Sequence, residues 1–157
     1  MQQNNFLNNA FLHHLSIQCA DPKSLSSFYS ETLGMKSKQI HHQEKTKWLC
    51  FGNDRRIIFS PGKKKNLDFA AFSLKDEKSL INFKNILTNK KVSISDYETP
   101  FFMKSSFGVK DPDNNLIIFG ISEINKGVAL SSTYSDYIYA PLHCLLYTSP
   151  SPRDLST

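Results

Sequence analysis

The order strand, helix, strand, strand, strand is spelled twice along this chain, and that repeated order constrains the fold more than any single motif. From Phe11 to Cys19, the residues Leu12, His14, Ser16 and Gln18 alternate with Phe11, His13, Leu15, Ile17 and Cys19, the period of two shown by a half-buried strand. His13 then falls on the opposite face from His14 and is expected to meet solvent. Asp21-Pro22 supplies an N-cap and a first-turn proline, and Leu25, Phe28, Tyr29 and Leu33 recur at helical steps before Gly34, so these apolar residues are expected on the core face of a helix. Extended segments are predicted over 36–42, 47–51 and 55–60, the last two parted by Gly52-Asn53-Asp54.

The pattern then restarts. Residues 67–74 read as a strand, and Asp76 caps a helix whose apolar stripe is Leu80, Phe83, Ile86 and Leu87. Extended segments follow over 92–96, 102–109 and 116–121, the last two joined by the turn Asp111-Pro112-Asp113-Asn114-Asn115. The repeat is one of element order, with a period of about fifty-five residues, and not of residue identity. The fold class expected is α+β: two βαβββ repeats forming one curved mixed sheet of about eight strands, with both helices on its convex face so that their stripes are buried.

At 157 residues the chain has room for one such module and no second full domain. Its net charge of +5 raises nucleic-acid binding, but the basic residues are scattered, and the runs Lys63–Lys65 and Lys90-Lys91 lie at a turn and a helix end with no aromatic residues interleaved. No nucleic-acid partner is expected. Cys19, Cys50 and Cys144 form no C-x-x-C pair, which argues against a zinc knuckle or a disulfide framework and for a reducing compartment. The opening residues lack the pattern of a secretory signal and no run of eighteen apolar residues occurs, so no membrane association and a cytoplasmic location are expected. Residues 1–10 are read as a disordered N-terminus and 11–124 as the folded module, with repeats 11–62 and 66–122. Residues 125–144 are read as a linker or the start of a truncated second module. The Ser- and Pro-rich end, 145–157, is similar to a translated sequencing-adapter peptide and is expected to be a disordered, artefactual tail.

Two signatures carry a family resemblance. Phe11-Leu-His-His-Leu-Ser-Ile, then Asp21, Phe28-Tyr29 and Leu33-Gly34-Met35, resemble the opening of a vicinal-oxygen-chelate module, the unit of glyoxalases, bleomycin-resistance proteins and extradiol dioxygenases. Phe107-Gly-Val-Lys-Asp111-Pro112-Asp113-Asn114-Asn115-Leu-Ile-Ile resembles that family's last hairpin. The resemblance implies a divalent metal held in the sheet's concavity by His on the first strand, His or a similar ligand on the strand opening the second repeat, and Glu on the final strand.

Only His14 matches those three positions; Phe69 and Ile118 stand at the other two, and the strand Arg56-Ile57-Ile58-Phe59 offers no acid. Asp68, one residue off, is expected to point to the opposite face. His41 and His42, being neighbours in a strand, face apart and are read as surface residues. No catalytic residue, no metal site and no cofactor are therefore expected in this chain. The run Trp48-Leu-Cys-Phe-Gly-Asn-Asp-Arg-Arg-Ile-Ile-Phe with Leu67–Leu74 is similar to the N-terminal module of a two-module extradiol dioxygenase. In that architecture the first module is structural and the second holds Fe²⁺ (or Mn²⁺), with His143 the first ligand candidate of an intact chain. Alone, the chain would be inactive. The alternative is a small-molecule binding protein of the bleomycin-resistance type, holding a small aromatic or other planar ligand among His14, Trp48, Phe69, Phe72 and Phe102, with a homo-oligomer left open.

Overall fold

The computed structural model describes residues 10–52, 56–63 and 66–122. Within them the order is β1 (Ala10–Cys19), α1 (Pro22–Glu31), β2 (Lys36–His42), β3 (Lys45–Phe51), β4 (Arg56–Pro61), β5 (Asn66–Leu74), α2 (Glu77–Asn89), β6 (Ser95–Asp96), β7 (Phe107–Lys110) and β8 (Leu116–Gly120). The eight strands form one sheet in the order β2-β3-β4-β1-β5-β8-β7-β6. β1 runs parallel to β4 and β5 parallel to β8, while β1 and β5 meet antiparallel at the centre, so the two repeats join along their first strands. The mixed α+β sheet with two helices expected from the sequence is the fold observed. No described helix is long and apolar enough to cross a membrane.

Both helices begin where their caps place them: the Asp21 carboxylate accepts from the Ser24 amide at 3.0 Å and Asp76 from the Ser79 amide at 2.8 Å. They cover the same face of the sheet. Leu25 and Tyr29 of α1 pack on Cys19, Cys50 and Phe59, and Leu80 and Phe83 of α2 pack on Leu74, Phe107 and Phe119. The helix-free face has its own core of Leu49, Ile58, Phe69, Ala71, Phe101, Phe102 and Ile118.

Three expectations are corrected here. Phe28 and Leu33 are not core residues; they are 52% and 56% exposed. α1 lies so close to β3 that the small, buried Ser26 faces it, its hydroxyl 3.2 Å from Cys50 Sγ, and the buried stripe is Leu25-Ser26-Tyr29. Phe28 is thereby turned to solvent, and Leu33 falls beyond the last helical turn beside Gly34 at φ +70°. The extended segments over 92–96 and 102–109 shrink to Ser95–Asp96 and Phe107–Lys110. Between them 97–106 is the loop of the β6–β7 hairpin, closed by the Tyr97 amide donating to the Ser106 carbonyl at 3.2 Å and by the Ser106 hydroxyl donating to the Tyr97 carbonyl. Pro100 cannot donate to a ladder, and Phe101 and Phe102 gain more by burial on the helix-free face than by extending a strand. The readings made for residues 1–9 and 123–157, including the linker, the tail and His143, lie outside the described residues.

Candidate functional site

The helix-free face is built from β1 outward. A register shift between Leu12 and His14 against β5 inserts one extra residue, a bulge that turns His13 to the same side as its neighbour. His13 is therefore 4% exposed rather than solvent-facing, and His14 is 1% exposed. Their Nδ1 atoms stand 2.9 Å apart and His13 Nε2 lies 3.1 Å from the Ser122 hydroxyl. An Nδ1–Nδ1 hydrogen bond needs one ring to donate and the other to accept, so the accepting ring at least is neutral. Burial, then the nearby Arg56 guanidinium, pushes the His13 pKa down to about 3. Burial, then His13 and Arg56, holds His14 well below the usual imidazole range.

Around His14 the shell is aromatic. Its ring makes edge-on contacts with Phe69, Phe101 and Phe102 at centroid separations of 5.6, 5.2 and 5.0 Å, and its Nε2 is buried with no hydrogen-bond partner. Phe102 reaches this place by a bridge to Ser122 and by the close approach that Gly120 allows, where a Cβ would sit 2.8 Å from Phe102 Cγ and 2.9 Å from Ser106 Cβ. The residues opposite His14 across the sheet are Ala71 on β5 and, beyond it, Ile118 on β8. No group of three His, Cys, Asp or Glu side chains able to hold a metal ion occurs among the described residues. Two imidazoles bonded to each other, with three phenyl groups around His14 and no carboxylate or thiolate grouped with them among the described residues, do not fit a divalent metal, which needs several free donors.

A second register shift, between Ser16 and Ile17, releases Asp68 from strict alternation. Contrary to the expectation from its one-residue offset, Asp68 faces the same side as His14. It accepts from the Ser16 hydroxyl at 3.1 Å and from Gln18 Nε2 at 3.2 Å. Neither bulge has a glycine or proline to announce it, so no local signal in the sequence marks them. His41 is exposed, 3.3 Å from the Thr46 hydroxyl, but His42 is half-buried and its Nδ1 has no hydrogen-bond partner. Of the residues proposed to line one pocket, His14, Phe69 and Phe102 are brought together on the helix-free face. Trp48 and Phe72 are not: Trp48 packs with Cys50 and Phe59 under α1, and Phe72 with Phe119 under α2. The residues missed were His13, Arg56, Phe101 and Ser122.

A family model for the glyoxalase/bleomycin resistance protein/dioxygenase superfamily matches residues 11–119. No curated protein matches the chain in sequence. Similar solved structures include the 2,3-dioxygenase LapB from Pseudomonas sp. KL28, at 16% identity and a TM-score of 0.63 over 77% of this chain and 43% of that one. An extradiol ring-cleaving dioxygenase from B. fuscum aligns at 13% identity and a TM-score of 0.61 over 79% of this chain and 35% of its own. A catechol 2,3-dioxygenase aligns at 12% identity and a TM-score of 0.60 over 71% of this chain and 38% of its own. At these identities the likeness is one of fold, and the chain spans between 35% and 43% of the length of these three structures.

Proposed function

Because the chain belongs to the glyoxalase/bleomycin resistance protein/dioxygenase superfamily, we propose that it is the non-metal module of an extradiol ring-cleaving dioxygenase, a scaffold for a second module that carries iron and performs the chemistry. The observation that carries this reading is the aromatic packing over His14. Where the family resemblance would set three ligands stand His14, Phe69 and Ile118, and Phe101 and Phe102 close over the imidazole. A sequestering protein of the bleomycin-resistance type needs room on this same face, and the two phenyl rings fill it around His14. What the module's own residues supply is rigidity: neutral, buried histidines and a packed aromatic core fix the end of β8, an inner strand of the sheet, beyond which Ser122 follows.

The test is to load the purified chain anaerobically with Fe²⁺, remove excess metal, and measure bound iron together with oxygen uptake in the presence of catechol. Iron well below one equivalent and no ring cleavage is the expected outcome. One tightly held iron per chain with catechol turnover would overturn the proposal.

A further inference from the structure

We infer that the outer edge of β2 receives an acidic peptide as an added strand, its backbone pairing with the open edge and its carboxylates lying along a row of lysines on the helix-free side. β2 is the last strand on its side of the sheet, and among the described residues it pairs with β3 alone. The pairing runs in register from Lys36 opposite Phe51 to His42 opposite Lys45, with no bulge. Every second residue of such a strand turns its N–H and C=O away from the neighbour it already has, so this edge of seven residues, about 23 Å long, is a template for another chain. The two edges of the sheet differ in this respect. β6, at the far side, is two residues long and too short to serve as a template, whereas β2 has full length and contains no proline or glycine.

The side chains narrow the partner. Ile40 packs on the core of the helix-free face, and alternation puts Lys36, Lys38 and His42 on the same side of β2. Lys45 stands opposite His42 in the ladder and extends this row onto β3. Neither strand carries a carboxylate, and the one acid of the hairpin, Glu44, sits in its turn. A second β2 laid along the edge would bring two lysine-bearing strands together, so the charges that discourage pairing between copies favour a strand of opposite sign. An added strand shows alternate side chains to the same side, and acids at every second position would therefore all lie beside Lys36 and Lys38. β1 is three strands inward, about 14 Å away, so this surface is separate from the aromatic packing over His14 and stands whether or not the dioxygenase reading does.

The experiment adds a capped octapeptide of alternating glutamate and threonine to the ¹⁵N-labelled full chain at constant ionic strength, and reads amide shifts and amide hydrogen exchange. Saturable shifts along residues 36–42 and slowed exchange at every second amide of β2 are expected, the second being the mark of a strand added to the edge. A peptide of the same composition with its glutamates in one block should bind at least fivefold more weakly, and an alternating lysine and threonine peptide should give no saturable shift. The double variant Lys36→Glu, Lys38→Glu should reverse the choice between the acidic and basic alternating peptides. Should it fail to fold, Lys36→Glu alone, at the exposed first residue of the strand, should weaken the acidic peptide at least threefold, whereas Lys84→Met on α2 should bind as the unaltered chain does. Shifts without slowed β2 amides, equal affinity for the block peptide, or an unchanged preference in the folded variants would each overturn the site. Sedimentation of the chain as a dimer whose β2 amides are already protected would overturn it too, since the edge would then belong to a second copy.

Discussion

His13 and His14 are the residues whose chemistry differs most from what their positions in a strand suggest. Alternation placed them on opposite faces, and one inserted residue in β1 brought both inside. Their burial has a consequence for pH. A histidine whose folded pKa lies below its unfolded value binds protons mainly when unfolded, so its contribution to stability is complete above the unfolded pKa and is lost as pH falls below it. For His13 that window runs from the ordinary value of 6.5 down to about 3. Between pH 7 and pH 5 this residue alone should remove about 2 kcal/mol of stability, with His14 adding in the same direction. Protonating both rings also places hydrogens on both Nδ1 atoms and breaks the bond between them. Urea unfolding across this range should show the midpoint falling, and the double variant His13→Leu, His14→Leu should flatten the profile. A slope unchanged in the double variant would assign the pH dependence to other groups. His14 itself was legible as the match to a first-strand ligand position, but its environment was not, because Phe101, Phe102 and Ser122 come from eighty or more residues away.

At the scale of elements, what could be read early were the features with local causes. Asp21-Pro22 and Asp76 started their helices because a carboxylate can satisfy free amides at that position, and Asp111 shapes the last turn by accepting from the Asn115 amide at 2.8 Å and side chain at 2.9 Å. The β2–β3 hairpin was blurred because its turn lacks the residues that announce one. Gln43 and Glu44 both adopt positive φ, 51° and 59°, as a two-residue type I′ connection requires, yet neither is Asn or Gly. The sequence reading accordingly began β3 at Lys47, two residues late. A left-handed conformation costs a side-chain-bearing residue about 1 kcal/mol or more. The double substitution Gln43→Asn, Glu44→Gly should therefore stabilise the chain by about 1 kcal/mol, seen as a higher thermal midpoint with the spectrum of the folded state unchanged. A lower midpoint would mean that the turn side chains make contacts worth more than the strain.

For the molecule as a whole, the decisive feature is the seam between repeats. β1 and β5 pair antiparallel over eight registered positions from Ala10 to Gln18, and each is also the inner neighbour of a parallel strand of its own repeat. Cutting between Gly62 and Asn66 would expose both strands along one full edge. It would also divide the helix-free core, since Leu49 and Ile58 belong to the first repeat and Phe69, Ala71, Phe101, Phe102 and Ile118 to the second. The sequence shows two repeats that look alike in order and so invites the idea of two autonomous units; shared burial argues against it, because a half of this size leaves its apolar face and strand edge to solvent. Fragments 10–62 and 66–122 made separately should each show little fixed tertiary structure by near-ultraviolet dichroism and amide dispersion, whereas an equimolar mixture should recover the pattern of the intact module. In the intact chain, urea unfolding followed at Trp48 under α1 and by far-ultraviolet dichroism should coincide in one transition. Two separated transitions, or a fragment that folds by itself, would show that the seam joins preformed halves and does not create the fold.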